Sequence, residues 1–314
     1  MLSLKTLTTL RPTTSSVLRR KLGASISILA VAATTFSAPA VAQGEDGERY
    51  RITVANDIRT DVQRVAVAAC YLREDIKTEV SQEALNFYLF EIDVLLDALR
   101  NGNINYGIPS AEERPRTLRA MEMFEEAWAP MREAAIAIRD GADRSSNLGI
   151  IAAENPNVLE ATERLVSEIT GQYFNPTEMV KADSLLLEIA GRQRKLLLRI
   201  SKESCMLRVG YGDEENQAAL AGYIQIFDAS LNALQNGMES AGIRQPPTPE
   251  IADGLAAIAA KWSVVKPSLD LTAMGEPVDS AAQEDKIFTL YTMLDDMGAV
   301  LELYQDELKG PAPS

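Results

Sequence analysis

Beyond residue 50 apolar side chains recur at intervals of three and four, and the strict alternation that marks a half-buried strand is nearly absent. This period predicts helices. The first covers about 50–74. The second carries Leu85, Leu89, Ile92, Leu96 and Leu99 on one face and stops at Asn101-Gly102, a helix-ending pair. Ser110-x-x-Glu113 has the form of a capping box opening a third helix, which holds Phe124 and Trp128. Asn155-Pro156, a cap followed by proline, predicts the start of a fourth. The same series then repeats, with Asn175-Pro176 opening its first helix and Thr248-Pro249 its third. The last helix is read from a heptad of Ile287, Leu290, Leu294, Met297, Leu301, Tyr304 and Leu308. The expected fold is all-α, built from tandem duplicated four-helix-bundle units.

The repetition is visible residue by residue. Residues 55–108 align without a gap on 190–243, an offset of 135, and 19 of the 54 pairs are identical, where chance gives about three. The identities include Arg59/Arg194, Arg64/Arg199, Cys70/Cys205, Leu85/Leu220, Asp93/Asp228, Asn101-Gly102/Asn236-Gly237 and Gly107-Ile108/Gly242-Ile243. The expected organisation is a leader over 1–42, one helical repeat over 43–174 and a second over 175–314.

The leader is read from Arg19, Arg20 and Lys21, the apolar stretch 22–37, and Ala40-Val41-Ala42 before Gln43, a small-x-small cleavage site. It predicts export to the periplasm. Residues 43–314 then carry 26 basic and 45 acidic side chains. So acidic a body argues against nucleic acid as a partner, and no later apolar run reaches the roughly 18 residues of a membrane span. The chain of 314 residues contains no histidine and two cysteines. That excludes His-based triads, His zinc sites and single-chain iron–sulfur or all-cysteine zinc centres. No phosphate-cradling loop or nucleophile elbow is present. Glu125-Glu126, Asp213-Glu214-Glu215 and Asp295-Asp296 read as solvated charges, and Trp128 and Trp262 as core. Neither an enzymatic activity nor a cofactor or metal is expected.

The chemistry that stands out lies on the first helix of each repeat. Leu187, Ala190, Arg194, Leu198, Ser201 and Cys205 share one stripe, and Ala55, Arg59, Gln63, Ala66 and Cys70 form its counterpart. Arg59 and Cys70, eleven residues apart, face the same way to within about 20° and lie about 16 Å apart along the axis. Cysteine seldom faces solvent, so the stripe is expected to face other helices, carrying an arginine into the seam. A guanidinium there needs a carboxylate or a bound anion. Both readings stand at this point: an internal pair, with Asp93 or Asp228 as candidates, or a ligand site.

The run Ala190-Gly191-Arg192-Gln193-Arg194-Lys195-Leu196-Leu197-Leu198-Arg199-Ile200 resembles the helix-one signature of the PilJ/NarX-type periplasmic sensor domain of type IV pili chemotaxis transducers and nitrate/nitrite sensor kinases. The later Leu…Asn-Gly, the Trp of helix three and Glu154-Asn155-Pro156 are also similar. The chain departs from the pattern at Leu197-Leu198, where the family has Ser-Gln, and at Asn56 in place of the motif glycine. The resemblance implies recognition of a small anion, nitrate or nitrite, by Arg194 and its counterpart Arg59, with Gln63, Arg64 and Arg199 beside them. A planar guanidinium fork suits a planar oxyanion.

If the repeats pack about a pseudo-two-fold axis parallel to their first helices, equivalent positions approach one another. Cys70 and Cys205 then meet as a disulfide in an oxidising compartment, and Arg59 and Arg194 come together as a clamp. The expected function is that of an exported sensor-like protein binding a small anion and acting through a membrane-bound signalling partner. The alternative is a non-catalytic structural or protein-interaction module whose arginines are satisfied internally.

Overall fold

The computed structural model describes residues 41–173 and 181–309. The expected leader, apart from Val41 and Ala42, lies outside the described residues, as does Asn175-Pro176. Eight α-helices follow in order: α1 Val41–Arg73, α2 Thr78–Asn101, α3 Pro115–Arg139, α4 Arg144–Tyr173, α5 Lys181–Arg208, α6 Glu214–Asn236, α7 Pro249–Ala273 and α8 Glu284–Lys309. No strand occurs among the described residues, and the all-α fold is as the periodicity implies. None of these helices is long and apolar enough to cross a membrane.

Helix ends follow local chemistry where it is not overruled. Thr248 caps α7 with its hydroxyl, followed by Pro249 at the first helical position, as the sequence implies. Asp213 and Asn216 form a capping box at the start of α6. Between α2 and α3, Asn103 and Ile108 pair across a short turn with Gly102 and Gly107 at φ 79° and 71°. The same turn recurs 135 residues on, at Met238 and Ile243, with Gly237 and Gly242 at 75° and 72°. Glycine is the residue that takes these angles without strain.

Three starts differ from expectation, the first being α1, which begins at Val41 and not near residue 50. α3 begins at Pro115, not at the Ser110–Glu113 box. The Ser110 carbonyl instead accepts a 2.5 Å bond from the buried Arg51, and the Glu112 carboxylate accepts from the amides of Glu113 and Arg114. α4 begins at Arg144, so Asn155-Pro156 lies in its interior. There Asp143 accepts from the Ser145 amide at the helix start, while buried Asn155 accepts a 2.7 Å bond from Lys202 of α5.

α1–α4 surround one apolar core, which Cys205 and Met206 of α5 and Ile287 of α8 also enter, and α5–α8 surround another. Trp128 stacks on Phe124 in the first, and Trp262 packs against Phe227 in the second, where its indole N–H donates to Asp228. The heptad positions of α8 from Ile287 to Met297, and Tyr304, are buried. α1 and α5 form the seam between the two groups. Across it the Tyr88 and Tyr291 hydroxyls bond at 2.9 Å, and Arg208 binds Glu74 at 2.7 Å in a buried pair that Ser280 also joins.

Candidate anion-binding site

α1 and α5 lie side by side and run in the same direction. Cys70 and Cys205 are joined by a disulfide with Cα atoms 6.2 Å apart. Eleven to seven residues before Cys70, Arg59, Thr60 and Gln63 line the same cavity as Lys195, Leu198 and Arg199 of α5, with Leu159 and Glu163 of α4 closing its third side. The cavity measures about 40 Å3, whereas one water needs about 10–15 Å3.

Three cations share this space with one carboxylate. Arg59 donates to Asn56 on its own helix at 2.6 Å, and Arg199 stands 3.7 Å from Glu163 with its guanidinium 5.6 Å above the Tyr223 ring. Burial lowers the Arg59 pKa; the field of Arg199 pushes the same way and Glu163 opposes it. Lys195 is lowered too, by burial first and then by Arg59. Gln63 is 6 % exposed, yet neither atom of its carboxamide has a hydrogen-bond partner among the described residues. An unpaired buried amide costs roughly 1–3 kcal/mol. A small oxyanion in this cavity would accept from that amide and from the guanidinium forks together.

The other face of the seam is built differently. Arg194 and Arg64 stand there with Asp57 and Asp61 of α1, Glu91 of α2 and Asp295 of α8. Arg64 lies 3.7 Å from both Asp61 and Asp295, and its guanidinium is 5.0 Å above the Tyr88 ring. The Nε atoms of Arg64 and Arg194 are buried with no hydrogen-bond partner among the described residues. Burial lowers the Arg194 pKa, Arg64 adds to the effect, and the three aspartates oppose it. Asp61 is pushed up to about 7, chiefly by burial, with Arg64 resisting and Asp57 and Glu91 reinforcing.

The five candidate residues therefore divide between two sites. Arg59 faces Arg199, with Gln63 alongside; Arg194 faces Arg64. The expected Arg59–Arg194 clamp does not describe this arrangement: the cation whose field each feels most is the other repeat's second arginine, because the two helices present their stripes to opposite flanks of the seam. The internal-pair candidates are engaged elsewhere, Asp93 by Arg132 at 2.6 Å and Asp228 by Trp262. Glu163, Asp57 and Asp61 have no place in the sequence pattern, Lys195 has one only within the run Ala190–Ile200, and Asp295 was expected to be merely solvated. Lys195 continues the basic run of α5, and Glu163 follows Leu159 by one helical turn, but neither spacing marks a site alone.

Among the described residues, the would-be metal ligands that converge are Cys70, Glu74 and Cys205. Both sulfurs are held in the disulfide and Glu74 by Arg208, so this group has no donors to spare.

A comparison with curated proteins gives no match. Residues 177–287 match the family model PilJ, described as "Type IV pili methyl-accepting chemotaxis transducer N-term". The matched span takes in Arg194, Lys195, Arg199 and Cys205, and runs from α5 through α7 into the first turn of α8. Over these residues the chain is similar to a PilJ-type domain.

Proposed function

We propose that this is an exported, sensor-type binding protein that takes a small oxyanion, with nitrate and nitrite as the first candidates, in the cavity between α1, α4 and α5. Arg59 and Arg199 hold the anion by their forks, Lys195 adds charge and Gln63 donates an amide N–H. The observation that carries this reading is the excess of three cations over one carboxylate around a cavity containing a buried, unpartnered carboxamide. The organisation that goes with it is a leader over 1–42 and two PilJ-like repeats over 43–174 and 175–314, the product of duplication. The recurrence of turns and arginines at an offset of 135 supports this. Location in the periplasm follows from the leader. A membrane-bound signalling protein as the partner follows from the transducers for which the matched family is named. The protein binds and does not turn its ligand over.

A second reading, a structural or protein-interaction module without a small ligand, is favoured by the Arg64–Arg194 side, where aspartates already surround the arginines. Thermal unfolding with nitrate, nitrite and a panel of other small anions at constant ionic strength separates the two. An anion at about 100 times its dissociation constant stabilises by roughly 2.7 kcal/mol, a midpoint rise of a few degrees at this size. The rise is expected to vanish in Arg59→Ala. No rise with any anion would leave the interaction module as the function.

A further inference from the structure

The two flanks of the seam are images of one another at an offset of 135. Arg59 and Arg199 correspond to Arg194 and Arg64, and Tyr223 beneath Arg199 corresponds to Tyr88 beneath Arg64. The image extends to the closing helix, with Leu159 and Glu163 of α4 matching Leu294 and Gly298 of α8. The difference is in the carboxylates. Gly298 stands directly beside Arg194, where a Cβ would meet its guanidinium at 3.7 Å, and brings no carboxylate to it. Three residues earlier on α8, Asp295 reaches Arg64, and Asp61 approaches from α1.

We propose that the Arg64–Arg194 cluster is a second oxyanion site occupied from within, with the Asp61 and Asp295 carboxylates standing in for the anion, so that the duplicated chain binds one anion rather than two. The argument rests on the reading of the Arg59–Arg199 cavity given above. Once Asp61 is ionised, two guanidiniums against Asp57, Asp61, Glu91 and Asp295 leave a net negative charge, which repels an anion; without the Asp61 and Asp295 charges the cluster is balanced and that repulsion is gone. The unpartnered Nε atoms of Arg64 and Arg194 show that the carboxylates use only part of the donor set. Half of the duplicated machinery is thereby fixed in its liganded-like arrangement.

The test is calorimetric titration of nitrate at about pH 8, where Asp61 is ionised, into the purified protein and into the Asp61→Asn/Asp295→Asn variant. The expected stoichiometry rises from one nitrate per chain to two, and adding Arg194→Ala to the variant returns it to one. Asp295 is exposed, so Asp295→Asn alone retains the fold; should the double variant not fold, the single one is expected to show the added, Arg194-dependent binding. A folded variant with no added site overturns the proposal. The two claims fail separately: binding by the unaltered protein that Arg59→Ala abolishes reports the first cavity, whereas binding gained by the variant and removed by Arg194→Ala reports the second. If the unaltered protein binds nothing but the variant binds one nitrate, the internal-ligand proposal stands without the first reading. If neither binds, both fall.

Discussion

Beside Arg64 and almost out of contact with water, the Asp61 carboxyl loses its proton only near about 7, because burial, with Asp57 and Glu91 nearby, outweighs the attraction of Arg64. An unfolded aspartate ionises near 3.8. The folded state thus holds the proton more tightly, and the associated stability is fully present below about 3.8 and lost as pH rises through about 7. Between pH 5 and pH 8 the protein is expected to lose roughly 2–4 kcal/mol on this account. Asp61→Asn should flatten that slope and raise the midpoint at pH 8, as denaturation at a series of pH values would reveal; an unchanged slope would locate the titration elsewhere. Of the site's residues, Arg59 and Gln63 were legible as polar positions on an otherwise apolar helix stripe, and Arg199 only through the repeat and the family resemblance. Asp61 was not, because nothing in its neighbours' sequence indicates that α2, α5 and α8 close over it. Trp128 was legible as core, but its buried and unpartnered indole N–H was not.

At the level of the helix, periodicity located all eight segments, and its errors fell at the starts, where side-chain oxygens compete for the same amides. Ser110-x-x-Glu113 has the composition of a cap, but Arg51, from a different helix, holds the Ser110 carbonyl and Glu112 supplies the bonds. Asn155-Pro156 also has a cap's composition, but α4 had already begun at Arg144 and continues through the proline. Such tertiary partners are invisible in a linear pattern. Asp213, by contrast, makes both bonds of its box within four residues and needs no distant partner. Asp213→Ala is therefore expected to lower stability by about 1 kcal/mol, and Ser110→Ala, whose hydroxyl caps nothing, by less than about 0.5 kcal/mol, in urea denaturation. Equal losses would restore Ser110 as a helix cap.

For the molecule as a whole, the disulfide and the Glu74–Arg208 pair fasten the two helical groups at one end of the seam. Cys70 and Cys205 are 135 residues apart, and closing so long a loop in the unfolded chain is worth about 5 kcal/mol on the loop-entropy account. The Cys70→Ser/Cys205→Ser variant should unfold at a correspondingly lower urea concentration, and reduction of the unaltered protein should reproduce the loss. If the variant unfolds with the same midpoint, the Glu74–Arg208 pair and the apolar cores hold the groups together without the bond. The recurrence at an offset of 135 was plain from the sequence, since identities at a constant offset do not depend on packing. The pairing of Arg59 with Arg199 and of Arg194 with Arg64 was not, because it turns on which flank of a helix each arginine occupies.

A covalent tie at one end of two parallel helices has the geometry of a lever. Arg59 lies eleven residues from Cys70, or about 16 Å along the axis, whereas the first residue of α5, Lys181, lies about 36 Å from Cys205. With the fulcrum at the sulfurs, any spreading of the helices by the proposed anion would be enlarged roughly twofold at the N-terminal end of α5. A difference of half an ångström between the occupied and empty cavity becomes about one ångström there, directed at whatever the opening of that helix touches.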